Sequence, residues 1–387
     1  MNIVFLSPHF PHHYHQFCRQ LKMAGANVLG IADAPYVELP RAVQDALTEY
    51  YRVDDMHDFD ALVRACGYFT HRYGKLDRLD SLNEYWLGVE AALRDDFNIF
   101  GVRTDTVDAI CRKSHMKAKF QKAGVAVAPG RVVRDAADGR ELIAQTGYPV
   151  VAKPDVGVGA LDTFRLDGDA DLVRFFQQKP PVDYIMEGFV GGTICSFDGL
   201  ADRNGEIVFY TAHVYSQGIM ETVNEERHVS YYSLRDVPPA LEILGRQCVR
   251  TFAVRERFFH IEFFETTPQT YVALEVNMRP PGGFTTDMFN YACDIDIYRL
   301  WARLMVKGNV DTPFVRKYHC CYASRKDRYR YRYSHEEIMA RHGDAMVQVA
   351  SVPGVFRSAL GDVGYIFRSP DLDAIKTITS FIQAVKE

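Results

Sequence analysis

The chain has 387 residues, more than one hydrophobic core usually holds, so two or three domains are expected. Hydrophobic residues make up 47% and charged residues 25%, an ordinary globular composition. A formal charge of −5 gives no global attraction to nucleic acid or to an acidic membrane surface, and no apolar run approaches membrane-spanning length. Eight cysteines show neither C-x-x-C nor paired metal spacing. The first residues read as a strand without the basic leader of a signal peptide, and together these features predict free thiols in the cytoplasm.

Residues 1–104 read as strands at 2–6, 27–31 and 51–53 alternating with helices at 15–23, 42–50, 58–73 and 84–94. That order predicts a parallel, Rossmann-like sheet. No G-x-G-x-x-G follows the first strand, so a dinucleotide is not expected there. His9, His12, His13 and His15 crowd the first strand-to-helix loop, at the end of a parallel strand where ligands tend to bind. The open readings are exposed histidines, contacts to an anionic substrate, or a metal site that lacks any carboxylate or Cys beside it. The run 80–84 reads as a loop and helix cap, with Glu84 a candidate substrate contact.

A helix over 105–120 carries the basic run Arg112, Lys113, Lys117, Lys119 and Lys122. A helix at 137–146 stops at Gly147, and a buried strand at 149–153 ends in Lys153. The loop that follows has no Cβ at Gly157 or Gly159, so its backbone N–H groups can approach phosphate oxygens. It lacks the Walker pattern, and a plain strand-to-loop turn would look the same. After a helix at 169–178, a strand at 184–187 runs into Gly188, Phe189, Val190, Gly191 and Gly192. This is either a crossing between lobes, with backbone amides open to an adenine, or a simple hairpin. Strands at 194–201 and 207–215 precede a polar stretch, 216–229, that reads as a mobile loop over a substrate.

The densest chemistry follows a helix at 239–252. Alternating segments at 260–264 and 273–279 flank a turn-prone 266–270 and predict an antiparallel hairpin. Period-two alternation puts Glu275, Asn277 and Arg279 on one face, and Glu262 on the partner strand can come beside Glu275. Two carboxylates and an amide oxygen make a hard donor set suited to Mg²⁺ carrying substrate phosphates. Arg279 is then placed to stabilise charge developing on phosphate. The alternative is a solvated sheet face. A helix at 295–307 comes next. Arg/Tyr alternation at 324–333 reads as a strand with a charged face, or as a stacking surface for single-stranded nucleic acid. A helix at 335–342, a strand pair over 355–369 around Gly361 and a helix at 372–385 end the chain.

Taken together these segments resemble the ATP-grasp superfamily over about residues 1–310, and its carboxylate–amine (amino-acid) ligases in particular. The resemblance implies a mixed α/β and α+β chain with a Rossmann-like pre-ATP-grasp domain at 1–104. A two-lobed ATP-grasp domain would occupy 105–310 (N-lobe about 105–185, C-lobe about 186–310), and an α/β region at 311–387 would pack on it. It implies Lys113 and Lys153 as phosphate-contacting lysines, Gly157 and Gly159 as the loop over the phosphates, and Glu187, Phe189 and Val190 as the adenine-side linker. Glu262, Glu275 and Asn277 would hold magnesium, and Arg279, catalytic with Lys153, would contact the transferring phosphate. The implied chemistry uses ATP with Mg²⁺ (or Mn²⁺) to activate a small-molecule carboxylate as an acyl phosphate, releases ADP and joins the acid to an amine. A homodimer is implied, with no nucleic-acid or membrane partner. Biotin carboxylase-like activation of bicarbonate and non-catalytic ATP binding are the alternatives. Two positions depart from the family pattern: Arg112 replaces an acidic residue, and Thr193-Ile194 stands where a ribose-holding Glu is frequent, leaving Asp198 as a substitute. Glu84, His213, Arg227 and His228 are the candidates for touching acid or amine.

Overall fold

The computed structural model describes residues 1–157, 162–216, 227–308, 310 and 313–386. Its first sheet is parallel, in the order β3-β2-β1-β4, from β1 (Asn2–Leu6), β2 (Asn27–Ala32), β3 (Glu49–Arg52) and β4 (Arg78–Asp80). Every residue of β1 is buried. Ile3 and Phe5 pack with Phe17 and Leu21 on one face, Val4 and Leu6 with Leu62 and Phe69 on the other. A strand covered on both faces reads as a continuous apolar run. The helix expected at 42–50 is confined to Arg41–Ala46, and the chain then turns into β3. β4 was not anticipated, because two of its three residues are charged and draw charge partners from far along the chain.

Those charges tie the first domain to the rest. Arg78 pairs with Glu256 at 2.6 Å, and Arg257 reaches Asp80 at 3.4 Å and Glu90 at 3.1 Å. Arg94 completes the cluster on Glu90 at 2.7 Å, and all six side chains are buried. An apolar seam runs beside it, where Phe17 meets Phe258, Tyr298 and Trp301 edge to face.

The helix expected over 105–120 is two helices, Thr104–Cys111 and Lys113–Lys122, broken at Arg112. Arg112 is extended (φ −93°, ψ 120°) and bridges to Val156. The break lets Asp155 cap the second helix through the Ser114 N–H at 2.8 Å. A four-stranded antiparallel sheet follows in the order β5-β8-β6-β7, from β5 (Gly130–Val133), β6 (Val150–Pro154), β7 (Phe164–Leu166) and β8 (Tyr184–Gly188).

The third sheet has eight strands in the order β13-β12-β9-β10-β11-β14-β16-β15. They are β9 (Thr193–Ala201), β10 (Ile207–Tyr215), β11 (Ser230–Ser233), β12 (Arg257–Thr267), β13 (Thr270–Asn277), β14 (His319–Arg325), β15 (Met346–Ser351) and β16 (Val363–Ser369). β8 and β9 belong to different sheets, so Gly191-Gly192 is a crossing and not a hairpin. The chain after residue 313 adds its strands to this same sheet.

Two expectations fail there. Residues 324–333 are not an alternating strand: β14 ends at Arg325, and a turn closed by the Tyr329 N–H on the Lys326 carbonyl follows. The aromatic rings turn inward instead, with Tyr333 stacked 3.7 Å from Phe381 and Tyr331 under the Arg325 guanidinium. Nor is 355–369 a strand pair; Gly354–Phe356 and Arg357–Leu360 are helical, and β16 lies between β14 and β15. A helix at Thr285–Cys293 was not anticipated. The eight cysteines are free, and among the described residues no helix is long and apolar enough to cross a membrane.

Candidate active site

A cleft of about 620 Å³ opens between the four-stranded and eight-stranded sheets. Its lining includes Lys113, Lys153, Glu187, Phe189, Val190, Glu262, Glu275 and Arg279. Gly157 is exposed and lies outside that lining, although its carbonyl accepts a hydrogen bond from Lys113 Nζ at 3.0 Å. Gly159 lies outside the described residues, as does most of the 216–229 stretch.

The hairpin register brings the two acids together. Glu262 stands directly opposite Glu275, and His260 opposite Asn277. The face is not solvated: the Glu262 side chain is 16% exposed, and Asn277 is buried. Asn277 Nδ2 donates to Glu275 Oε1 at 3.3 Å. Arg279 falls beyond the end of β13, and its Nε donates to Glu84 Oε2 at 3.1 Å. Burial, with Glu275 nearby, raises the Glu84 pKa despite this cation. Glu84 thus reaches the site as the partner of Arg279.

Across the cleft, Glu187 accepts from Lys153 Nζ and from Lys117 Nζ, both at 2.9 Å. Burial opposes charge on Lys153, but Glu187, Glu275 and Glu262 outweigh it and raise its pKa. Lys117, with the Lys153 charge against it, is held below its ordinary value by burial. Lys117 was read only as part of a basic run; its i+4 spacing from Lys113 on one helix was the available signal. Of the linker amides, Gly188 donates to the Pro129 carbonyl and Phe189 to that of Pro149. Arg112, the departure from the family pattern, pairs with Asp155 at 3.3 Å and Asp183 at 3.5 Å, at the base of the glycine loop.

Beneath the acids lies a network the sequence reading missed. Asp198 accepts from Ser196 Oγ at 2.6 Å and from His213 Nδ1 at 2.7 Å, and it also bonds His260 Nδ1. His260 Nε2 lies 3.6 Å from Glu262 Oε1. Burial opposes a charged His260, but Asp198 and then Glu262 outweigh it and raise the imidazole to about 10. Asp198 is fully buried with its oxygens occupied, so it is not a ribose contact. His213 is equally buried and does not line the cleft. His228 lines a separate, smaller pocket with Tyr329 and Gln383, whereas Arg227 borders both. The signal for His260 was its place two residues before Glu262, on the same strand face.

The histidine loop packs near the far end of the cleft: Phe10 stacks on Phe356 at 5.4 Å, and His13 on Phe284 at 6.4 Å. Among the described residues no cluster of three or more His, Cys, Asp or Glu is arranged for a metal ion. Glu262 and Glu275 form a pair, which suits an ion that draws its remaining ligands from phosphate oxygens.

No family model matches the chain. It is 25% identical over 268 residues to an L-arginine-specific L-amino acid ligase of Bacillus subtilis, covering 64% of each chain. Over 146 residues it is 23% identical to the carbamoyl phosphate synthase large chain of Xanthomonas axonopodis pv. citri, 13% of that protein. The chain thus spans just under two thirds of the first relative and a small part of the second. Its structure superposes on an L-amino acid ligase from Bacillus licheniformis with a TM-score of 0.76 at 14% identity, covering 99% and 97% of the two chains. An N5-carboxyaminoimidazole synthetase from Staphylococcus aureus gives a TM-score of 0.71 at 12% identity, over 98% and 96%.

Proposed function

Since this chain has the fold of the ATP-grasp superfamily, we propose that it is an ADP-forming ligase joining a small-molecule carboxylate to an amine. The division at residues 104 and 310 is adopted with it. The carrying observation is one cleft with the facing acids Glu262 and Glu275 and the cation Arg279 on one wall, and the Lys153–Glu187 pair on the other. In this reading Lys113 and Lys153 bind phosphate oxygens under the loop of Gly157 and Gly159. Adenine lies along Glu187, Phe189 and Val190. Glu262, Glu275 and the Asn277 amide oxygen hold Mg²⁺, or Mn²⁺ in its place, which neutralises phosphate charge when bound.

The substrate carboxylate oxygen attacks the γ-phosphorus as the bond to the β–γ bridging oxygen breaks, giving ADP and an acyl phosphate. The amine nitrogen, entering unprotonated, attacks the acyl carbon and expels phosphate. Arg279 offsets the charge gathering on the transferred group, and Glu187 keeps Lys153 aimed at it. No protein nucleophile is required, so catalysis is positioning and electrostatics. Free buried thiols fit a cytoplasmic enzyme. A second copy of the chain is proposed as partner by likeness to a structure described as a biotin carboxylase domain dimer.

The test is a matrix of acids, bicarbonate included, against amines, read by ADP release and by mass spectrometry of products. Glu275→Gln and Lys153→Ala should each lower turnover about a hundredfold, equivalent to about 3 kcal/mol of barrier, with the fold intact. Undiminished turnover in both variants rules the assignment out.

A further inference from the structure

Two rows of polar side chains cross the eight-stranded sheet behind the acidic hairpin. In the first, Asp198 of β9 stands opposite His260 of β12, and His260 opposite Asn277 of β13. In the second, His213 of β10 faces Ser196, Ser196 faces Glu262, and Glu262 faces Glu275. The rows lie two residues apart along β9, β12 and β13, so they share one face of the sheet. The intervening Phe197, Phe259 and Ile261 point the other way, into an apolar core. Ser196, Asp198 and His213 are fully buried, and His260 and Asn277 nearly so.

Glu262 and Glu275 repel each other, as like charges directly opposite on paired strands do. Each has a polar partner two residues away on its own strand. Asn277 Nδ2 donates to Glu275, and His260 Nε2 lies 3.6 Å from Glu262 Oε1. His260 is in turn held from behind. Its Nδ1 bonds one oxygen of Asp198, while the other oxygen accepts from Ser196 Oγ and His213 Nδ1. With three donors on it Asp198 is locked, and the ring it holds presents Nε2 to Glu262. Replacing a buried charge network by apolar residues of the same volume is often neutral or stabilising. Stability alone therefore gives no reason for this one.

We propose that His260, held by Asp198, is a positioning residue for the metal: it keeps the Glu262 carboxylate in place against Glu275, so that the pair is preorganised for a divalent cation. The inference rests on the reading of Glu262 and Glu275 as metal ligands. Groups that orient a ligand from behind govern metal affinity about 10–100-fold.

The experiment uses the full chain with Mn²⁺ as the probe. Electron paramagnetic resonance of free Mn²⁺ gives its affinity for the ADP complex, and calorimetry in EDTA gives the affinity for ADP alone. His260→Phe, which keeps a ring in the space and leaves Asp198 its two other donors, should weaken Mn²⁺ about tenfold or more. Metal-free ADP binding should be unchanged. Asp198→Asn, which unseats the imidazole without opening a cavity, should weaken Mn²⁺ severalfold in the same selective way. In a Glu262→Gln background His260→Phe should cost nothing further, because the group it positions is gone. Unchanged Mn²⁺ affinity in both single variants, a parallel loss of Mn²⁺ and metal-free ADP binding, or an undiminished cost in the Glu262→Gln background overturns the proposal. If Glu262→Gln itself leaves Mn²⁺ binding untouched, the metal reading of the hairpin falls and the positioning role with it. A loss with Glu262→Gln but none with His260→Phe or Asp198→Asn leaves the metal reading standing and sinks the positioning role alone.

Discussion

Glu187→Gln is the most searching single change in this molecule. Glu187 is the shared acid of two buried ammonium groups, Lys153 and Lys117, each at 2.9 Å. At that distance and an effective dielectric constant near 20, each pair attracts by about 6 kcal/mol before desolvation is counted. Removing the shared partner of a buried charge set costs about 3–5 kcal/mol, because the remaining charges are neither solvated nor paired. The variant should lose that much in urea unfolding followed by circular dichroism, with the slope unchanged. Adding Lys117→Met then removes one of the stranded cations. The double variant should recover about 1–2 kcal/mol, a coupling typical of contacting residues. A loss below about 0.5 kcal/mol for Glu187→Gln, or strictly additive losses in the double variant, would refute the view of Glu187 as the hub of this wall.

Three further outcomes follow from the same geometry. Arg257→Ala leaves the two buried acids Asp80 and Glu90 to share Arg94 at the seam between the first domain and the large sheet; it should cost about 3 kcal/mol and speed amide exchange in β4, read by mass spectrometry. Gly199→Ala would place a Cβ 2.2 Å from the Phe209 carbonyl oxygen and 2.5 Å from the Phe259 ring. A loss of about 3 kcal/mol or more is expected by thermal unfolding, since backbone cannot yield as a side chain can. Arg112→Ala removes the charge partner of Asp155 at the base of the glycine loop and leaves its cap on Ser114. It should raise the KM for MgATP about fivefold, in proportion to a half-exposed pair worth about 1 kcal/mol, while kcat holds.

The acidic hairpin was legible because its information is local. Two alternating segments and a turn fix which residues share a face, and Glu262 does stand opposite Glu275. Lys153 was legible for the same reason, as a charge at the end of a buried strand. What escaped was chemistry set by distant partners. Glu84 and Arg279 are 195 residues apart in sequence, and nothing near either announces the pair. Asp198 looked available to a ligand because a lone acid on a strand carries no sign of the two histidines that occupy it. Tyr231, Phe356 and Leu360, which line the cleft, were not singled out, since apolar residues lining a cavity and apolar residues filling one look alike in sequence. The tail misled differently: Arg/Tyr alternation mimicked a strand, but Tyr333 is held by Phe381 of the last helix.

The continuity of the eight-stranded sheet bears on how this chain could be shortened or recombined. β11 pairs on one side with β10 and on the other with β14, so the three strands of the tail complete one end of the array and keep β11 from being its edge. A chain cut after residue 310 would bare the N–H and C=O groups of β11 that face β14 and strip Phe356 and Leu360 from the cleft in one stroke. Such a fragment presents an adhesive strand to its neighbours and should aggregate. The C-terminal segment is therefore no exchangeable module.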